Sequence, residues 1–208
     1  MERPGKIVCV GRNYAEHAKE LGNAVPERPL LFLKPPSAVI GDGDAIVLPR
    51  ASRQVEHEGE IGVVVGARLR GAGEAEARAA VAGVVCVNDV TARDLQKTDG
   101  QWTRAKGFDT FCPVGPRMLA VGPGFDLAGL EVCCRVNGVE RQRGRAADMV
   151  FSIPALLAFI SGVMTLEPGD LVATGTPAGV GPLAGGDVVE VEIPGVGVLK
   201  NPVRPADR

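Results

Sequence analysis

The stretch that most restricts what this chain can fold into is residues 56–66, EHEGEIGVVVG. Residues 61–65 are almost wholly β-branched, which reads as a strand buried on both faces. Alternate side chains of a strand share a face. Glu56, Glu58 and Glu60 therefore project one way, and His57, Gly59 and Ile61 the other, if the stretch is extended throughout. Carboxylates leading into such a strand are either a solvated edge or a site prepared for a cation.

Short Val-rich runs recur between turn residues. They are KIVCVG (6–11), LLFLK (30–34, cut off by Pro35 and Pro36), DAIVLP (44–49) and VVCVNDV (84–90, ending at Asn88 and Asp89). With 28 glycines and 16 prolines as punctuation, the chain reads as β-dominated, a β-rich α+β fold. LEVCCRVNGVERQ (130–142) carries the Asn137-Gly138 signature of a hairpin. GDVVEVEIPGVGVLKNPV (186–203) reads as a final hairpin, and DLVATGTPAGVG (170–181) brings a strand into a glycine-rich loop. Helices are few. NYAEHAKELG (13–22) has Asn13 as N-cap and Gly22 as stop, and residues 73–84 form a short Ala-rich helix. Ser152 caps a third over 153–161, with Pro154 in its first turn. Residues 23–31 read as a mobile Pro-rich loop, and 91–113 as a long irregular polar segment around Trp102. No repeat or linker divides residues 1–208, which reads as one domain.

A net charge of −2 with 45% hydrophobic residues suggests neither a nucleic-acid partner nor a membrane surface. No run approaches the roughly 18 apolar residues of a membrane span. The N-terminal MERPGKIVCVG lacks a signal-peptide pattern, so the expected location is cytoplasmic. The five cysteines, Cys9, Cys86, Cys112, Cys133 and Cys134, are odd in number and form no CxxC. They read as reduced, buried small hydrophobes.

Three stretches place polar chemistry at strand ends: Glu58-x-Glu60, Asn88-Asp89 and Lys106. Carboxylates without Cys or clustered His favour a hard cation such as Mg²⁺, Mn²⁺ or Ca²⁺. On spacing alone the acidic pair reads more readily as a solvated face. His17 and Glu20 are three apart on the first helix and share a face, a spacing more often found in surface pairs.

The chain resembles the fumarylacetoacetate hydrolase family, and within it the short acylpyruvase and oxaloacetate decarboxylase branch. The resemblance runs from about residue 7 to 203. It is carried in order by VGRNYAEHAKELG, VEHEGEIGVVVG, VNDVTARDLQ, AKGFDTFCPVGP, VNGVERQ, DMVFSIPALLAFIS and GDLVATGTPAGVG. It implies a mixed β-sandwich roll with several sheet layers and few short helices, forming a single catalytic domain and a homodimer. It implies Glu58, Glu60 and Asp89 as ligands of Mg²⁺, Mn²⁺ or Ca²⁺, and Lys106 as a substrate-site lysine. His17 and Glu20 match a catalytic pair on a lid spanning residues 14–31. Arg12, Arg93, Gln96, Gly175 and Thr176 fall at substrate positions. Arg93 suits a substrate carboxylate, or equally an ion pair with Asp94 or another acid. Gly175 and Thr176 would offer an N–H and a hydroxyl to substrate oxygens. His57 reads as packed rather than ligating, and Glu56 as supporting the ligands or solvated. The implied activity is metal-dependent C–C cleavage of small 2,4-dioxo or 2-oxo acids, by acylpyruvate hydrolysis or oxaloacetate decarboxylation. The alternatives are an isomerase of 2-hydroxy-dienoic acids and an oxaloacetate tautomerase.

Overall fold

A computed structural model describes residues 3–206. Among them the first strands are β1 (Ile7–Gly11), β2 (Leu30–Lys34), β3 (Val39–Ile40), β4 (Ile46–Leu48) and β5 (Val55–His57). They are followed by β6 (Gly59–Val65), β7 (Val81–Asn88), β8 (Thr91–Ala92), β9 (Cys112–Ala120) and β10 (Glu131–Val136). The last are β11 (Val139–Arg145), β12 (Leu171–Ala173), β13 (Gly181–Pro182), β14 (Val188–Ile193) and β15 (Gly197–Pro205). The helices are α1 (Ala15–Glu20), α2 (Glu74–Ala79), α3 (Arg93–Thr98), α4 (Thr103–Lys106) and α5 (Ile153–Val163). None is long and apolar enough to cross a membrane.

A seven-stranded sheet, ordered β2-β1-β12-β6-β7-β9-β3, holds β6 at its centre. Every residue of β6 is buried, as its β-branched run requires. Ile61, Val63 and Val65 join Val132, Val189 and Val191 of a second sheet, ordered β11-β10-β14-β15-β4. Val64, Val85 and Val87 face the other way, with Ile7, Cys9 and Leu171. Gly62 is needed in β6 because a Cβ there would lie 2.4 Å from Val87 and 2.8 Å from Val85. All five cysteines are free and buried. At the tip of the β10–β11 hairpin, Asn137 and Gly138 have φ of 54° and 75°, as a type I′ turn needs.

Four sequence expectations change, the first being that the Ala-rich helix expected over 73–84 ends at Ala79 and residues 81–84 open β7. The acidic stretch is not one strand. β5 lies in a small third sheet, β13-β5-β8, and Glu58 stands where the chain passes from that sheet into β6. Asn13 does not cap α1; Tyr14 is the N-cap residue, without a side-chain bond. The Asn13 amide instead donates to Thr174 O (2.8 Å) and Phe151 O (3.1 Å) and accepts from Phe151 N–H (2.9 Å). Residues 91–113 are not irregular throughout, since they contain β8, α3 and α4. The α1 stop is as expected. Gly22 (φ 69°) donates to Lys19 O and Asn23 N–H to Ala18 O, the paired bonds of a Schellman end. Ser152 caps α5 through Ala155 N–H.

Candidate active site

Four strand ends converge on one cavity. In the antiparallel pair β6–β7, Gly59 lies opposite Asn88, so the start of one strand meets the end of the other. Asn88 Oδ1 accepts Glu58 N–H (3.0 Å), and Asp89 N–H reaches Glu58 O (2.8 Å). The chain leaving β12 brings Gly175 N–H to Glu60 Oε2 (2.8 Å). The chain leaving β1 turns through Arg12 into α1, which carries His17. The cavity, about 240 Å³, is lined by Arg12, His17, Glu58, Glu60, Asp89, Arg93, Gln96, Lys106 and Thr176 among others. Glu20 and Gly175 do not line it; each bonds a residue that does, His17 and Glu60.

Glu58, Glu60 and Asp89 are all buried, and each offers a carboxylate oxygen within 4.8 Å of the others. Their polar neighbours are equally dry. Lys106 Nζ bridges Glu58 Oε2 (2.8 Å) and Asp89 Oδ2 (2.7 Å). Lys34 Nζ holds Asp89 Oδ1 (2.6 Å) and donates to Val90 O. Arg93 reaches Glu56 Oε2 with Nε (2.7 Å) and Glu58 Oε1 with Nη2 (2.5 Å). Its Nη1 takes Gln96 Oε1 (2.5 Å). Arg93 is thus committed to acids of the site; Asp94 instead accepts from Ser52 and Arg53.

The charges do not balance. Four buried acids, Glu56, Glu58, Glu60 and Asp89, face three buried bases, Lys34, Arg93 and Lys106. Burial pushes the Glu58 carboxyl up, but Lys106 and Arg93 outweigh it and hold it below the usual range. Among the described residues Glu60 has no basic hydrogen-bond partner; burial, Asp89 and Glu58 together push its carboxyl well above the usual range. An uncompensated carboxylate in an all-oxygen donor set fits a hard divalent cation.

His17 is buried on α1. Its Nδ1 lies 3.2 Å from Glu20 Oε2, and Glu20 also accepts Gly179 N–H at 3.0 and 3.2 Å. The tie orients the ring and leaves Nε2 without a hydrogen bond inside the described chain. Two substrate expectations change here. The Gly175 N–H is already given to Glu60. The Thr176 hydroxyl donates to Gly59 O (2.9 Å) and accepts from Gln142 Nε2 (2.7 Å), so its proton is not free for a ligand.

Sequence reasoning missed Lys34 and Gln142. Lys34 ends β2 before Pro35 and carries no signal beyond a strand end. Gln142 on β11 accepts Gly59 N–H and meets His57 Nδ1, both at 3.0 Å, and donates to Thr176 and Pro177 O. His57 is packed, as expected, and Glu56 is buried against Arg93 and Gln54.

Comparison with known proteins accords with this geometry. The family model described as fumarylacetoacetate (FAA) hydrolase C-terminal matches residues 6–204. The Methanocaldococcus jannaschii protein MJ1656 is 50% identical over 202 residues, covering 97% of this chain and 84% of that one. Human mitochondrial oxaloacetate tautomerase FAHD2A is 42% identical over 210 residues, covering 97% and 67%. The crystal structure of 2-hydroxyhepta-2,4-diene-1,7-dioate isomerase from Mycobacterium marinum superposes with a TM-score of 0.90 at 45% identity, covering 99% and 77%. A carboxylate triad assembled from strand ends of this topology, with family sequence across nearly the whole chain, makes this protein a member of the fumarylacetoacetate hydrolase family.

Proposed function

We propose that this chain is a divalent-cation-dependent enzyme that forms and discharges the enolate of a small 2-oxo acid, with oxaloacetate as substrate. The observation that carries the reading is the buried Glu58–Glu60–Asp89 cluster, which together with Glu56 outnumbers the buried bases by one acid and shares a small cavity with Lys106 and His17. A cation held by the three carboxylates would supply a Lewis acid at the substrate's oxygens. Lys106 stabilises negative charge as it develops on the substrate oxygen. His17 Nε2 takes a proton from the substrate carbon or returns one to it, with Glu20 holding the ring in one tautomer. Keto–enol exchange needs no more than this, and the relative named an oxaloacetate tautomerase favours that outcome.

C–C cleavage, the activity expected from the sequence, passes instead through pyruvate enolate, whose charge develops on the corresponding keto oxygen. Decarboxylation of oxaloacetate reaches it by loss of CO₂. Acylpyruvate hydrolysis adds a water at the distal carbonyl, and the His17–Glu20 pair is the observation that favours this second reading. Incubation with oxaloacetate, acetylpyruvate and a 2-hydroxy-dienoate under Mg²⁺ and Mn²⁺, with enol, CO₂ and pyruvate followed separately, tests both. Ketonisation of the dienoate with no action on the other two would reject them.

A further inference from the structure

Every buried base at the candidate site is already paired. Lys106 serves Glu58 and Asp89, Lys34 serves Asp89, and Arg93 serves Glu56, Glu58 and Gln96. Two cations that line the same cavity have no acid, carbonyl or ring partner among the described residues: Arg12 and Lys97. Lys97 is exposed on α3, where a hydrated ammonium needs no partner. Arg12 is half-buried, and its circumstances differ.

The Arg12 backbone is held in the left-handed region, φ 58°, a strained position for a long side chain. Both neighbours are fixed. A Cβ on Gly11 would lie 3.0 Å from the Trp102 ring, so the chain there runs hard against it. Asn13 is clamped by three hydrogen bonds to Phe151 and Thr174. A locked backbone thus carries a guanidinium with no partner among the described residues. Strain of this kind persists where the surroundings enforce it, and a pre-positioned fork saves the ordering cost of binding a carboxylate.

Charge completes the case. The buried acids exceed the buried bases by one, and a divalent cation turns that deficit into an excess of one positive charge. Arg12 and Lys97 add two more at the cavity wall and mouth. A 2-oxo dicarboxylate brings two negative charges, and its enolate three. A neutral acyl group at the distal end would leave Arg12 unpaired.

We propose that Arg12 binds the distal carboxylate of the substrate and so selects 2-oxo dicarboxylic acids over acylpyruvates. The inference rests on the proposed function and narrows it. The test titrates malate and lactate into the Mn²⁺-loaded protein by calorimetry. Both are 2-hydroxy acids that chelate alike, and only malate has the distal carboxylate. The expected wild-type preference for malate is about 10-fold or more, the size of one charge-assisted contact. Arg12→Asn, chosen because Asn tolerates a left-handed backbone, and Arg12→Met should each reduce it to about 2-fold. Arg12→Lys should keep part of it. A preference retained in Arg12→Asn and Arg12→Met, or malate and lactate weakened equally, overturns the assignment. A wild type that turns over neither oxaloacetate nor acetylpyruvate, yet prefers malate through Arg12, removes the functional proposal and leaves this one standing. Turnover of oxaloacetate with an unaltered preference in Arg12→Asn does the reverse.

Discussion

Lys34 and Asp89 form an ion pair sealed from water: Nζ lies 2.6 Å from Oδ1, with the side chains 0% and 1% exposed. The lysine fixes one Asp89 oxygen and turns the other towards the cavity. Breaking a buried pair from one side leaves an uncompensated charge, at a cost of about 3–5 kcal/mol. Lys34→Met should therefore lower the unfolding free energy of the metal-free protein by about 3 kcal/mol, read from urea titrations. The loss should shrink in saturating Mn²⁺, because a bound cation takes over the Asp89 charge. A metal-free loss under about 1 kcal/mol would show that the pair does not hold the site.

Glu58→Ala, Glu60→Ala and Asp89→Ala should each weaken Mn²⁺ binding while the fold survives. Titration followed by electron paramagnetic resonance measures it, and wild-type affinity in all three would sink the ligand assignment. Glu60→Ala should destabilise the metal-free protein least. Burial and its two acidic neighbours already disfavour that carboxylate, whereas Glu58 and Asp89 each hold bases that their loss would strand.

His17→Gln separates the reactions. Where His17 activates water, acylpyruvate hydrolysis should fall about 10²-fold or more. Decarboxylation of oxaloacetate, which needs no attacking water, should fall less. Lys106→Ala should damage both, because both develop the same charge. Assays of each variant on acetylpyruvate and oxaloacetate with saturating Mg²⁺ decide it, and equal losses in His17→Gln would remove the water-activating role.

His57 should give the fold a pH dependence whose sign follows from its burial. Burial lowers its pKa from the ordinary value of 6.5, against the smaller opposing effects of Gln142, Glu58 and Glu56. Gly59 N–H and Pro177 O fix the Gln142 amide, so Gln142 Oε1 faces the ring and Nδ1 carries the proton. The folded state thus binds a second ring proton less readily than the unfolded chain. Its contribution is present above the ordinary histidine value and is lost as pH falls through the lowered folded value. His57→Asn keeps a donor towards Gln142 and cannot titrate. Urea midpoints taken across that range should fall with acid in the wild type and flatten in the variant.

Within the lid expected over residues 14–31, Tyr14, His17 and Ala18 are buried, whereas most of 19–30 is exposed. We propose that the exposed part closes over bound ligand, pivoting where Glu20 meets Gly179. Amide exchange in residues 19–29 should slow when Mn²⁺ and oxalate are added together, with β6 unchanged. Equal exchange in both states would count against closure.

Much of the layered architecture is written in the chain. β6, β7 and the Asn137-Gly138 hairpin follow from β-branched runs and turn chemistry, and α5 from its serine cap. What escaped depends on partners far away in sequence. Asn13 has the composition of a cap, and only the fold reveals that Thr174 and Phe151 claim its amide. α3 and α4 have 6 and 4 residues, too few for an apolar period to show. The carboxylate triad was legible through the sequence around it, but not the commitment of Arg93, Gly175 and Thr176 to neighbours. Spacing names donors without saying who already holds them.

Glu58 stands where the chain leaves one sheet for another, and its companions come from far along the sequence. Glu60 meets Gly175 across 115 residues, Lys106 meets Glu58 across 48, and Asn13 meets Thr174 across 161. Loops of that length must close before any of these contacts returns free energy, so such topologies fold slowly. The three carboxylates themselves stand at the facing ends of one strand pair, β6–β7, within residues 58–89; the groups that hold them in place do not. The donors of the site are thus written in one stretch of the chain, while the N–H that positions Glu60 is supplied from the last third of the polypeptide.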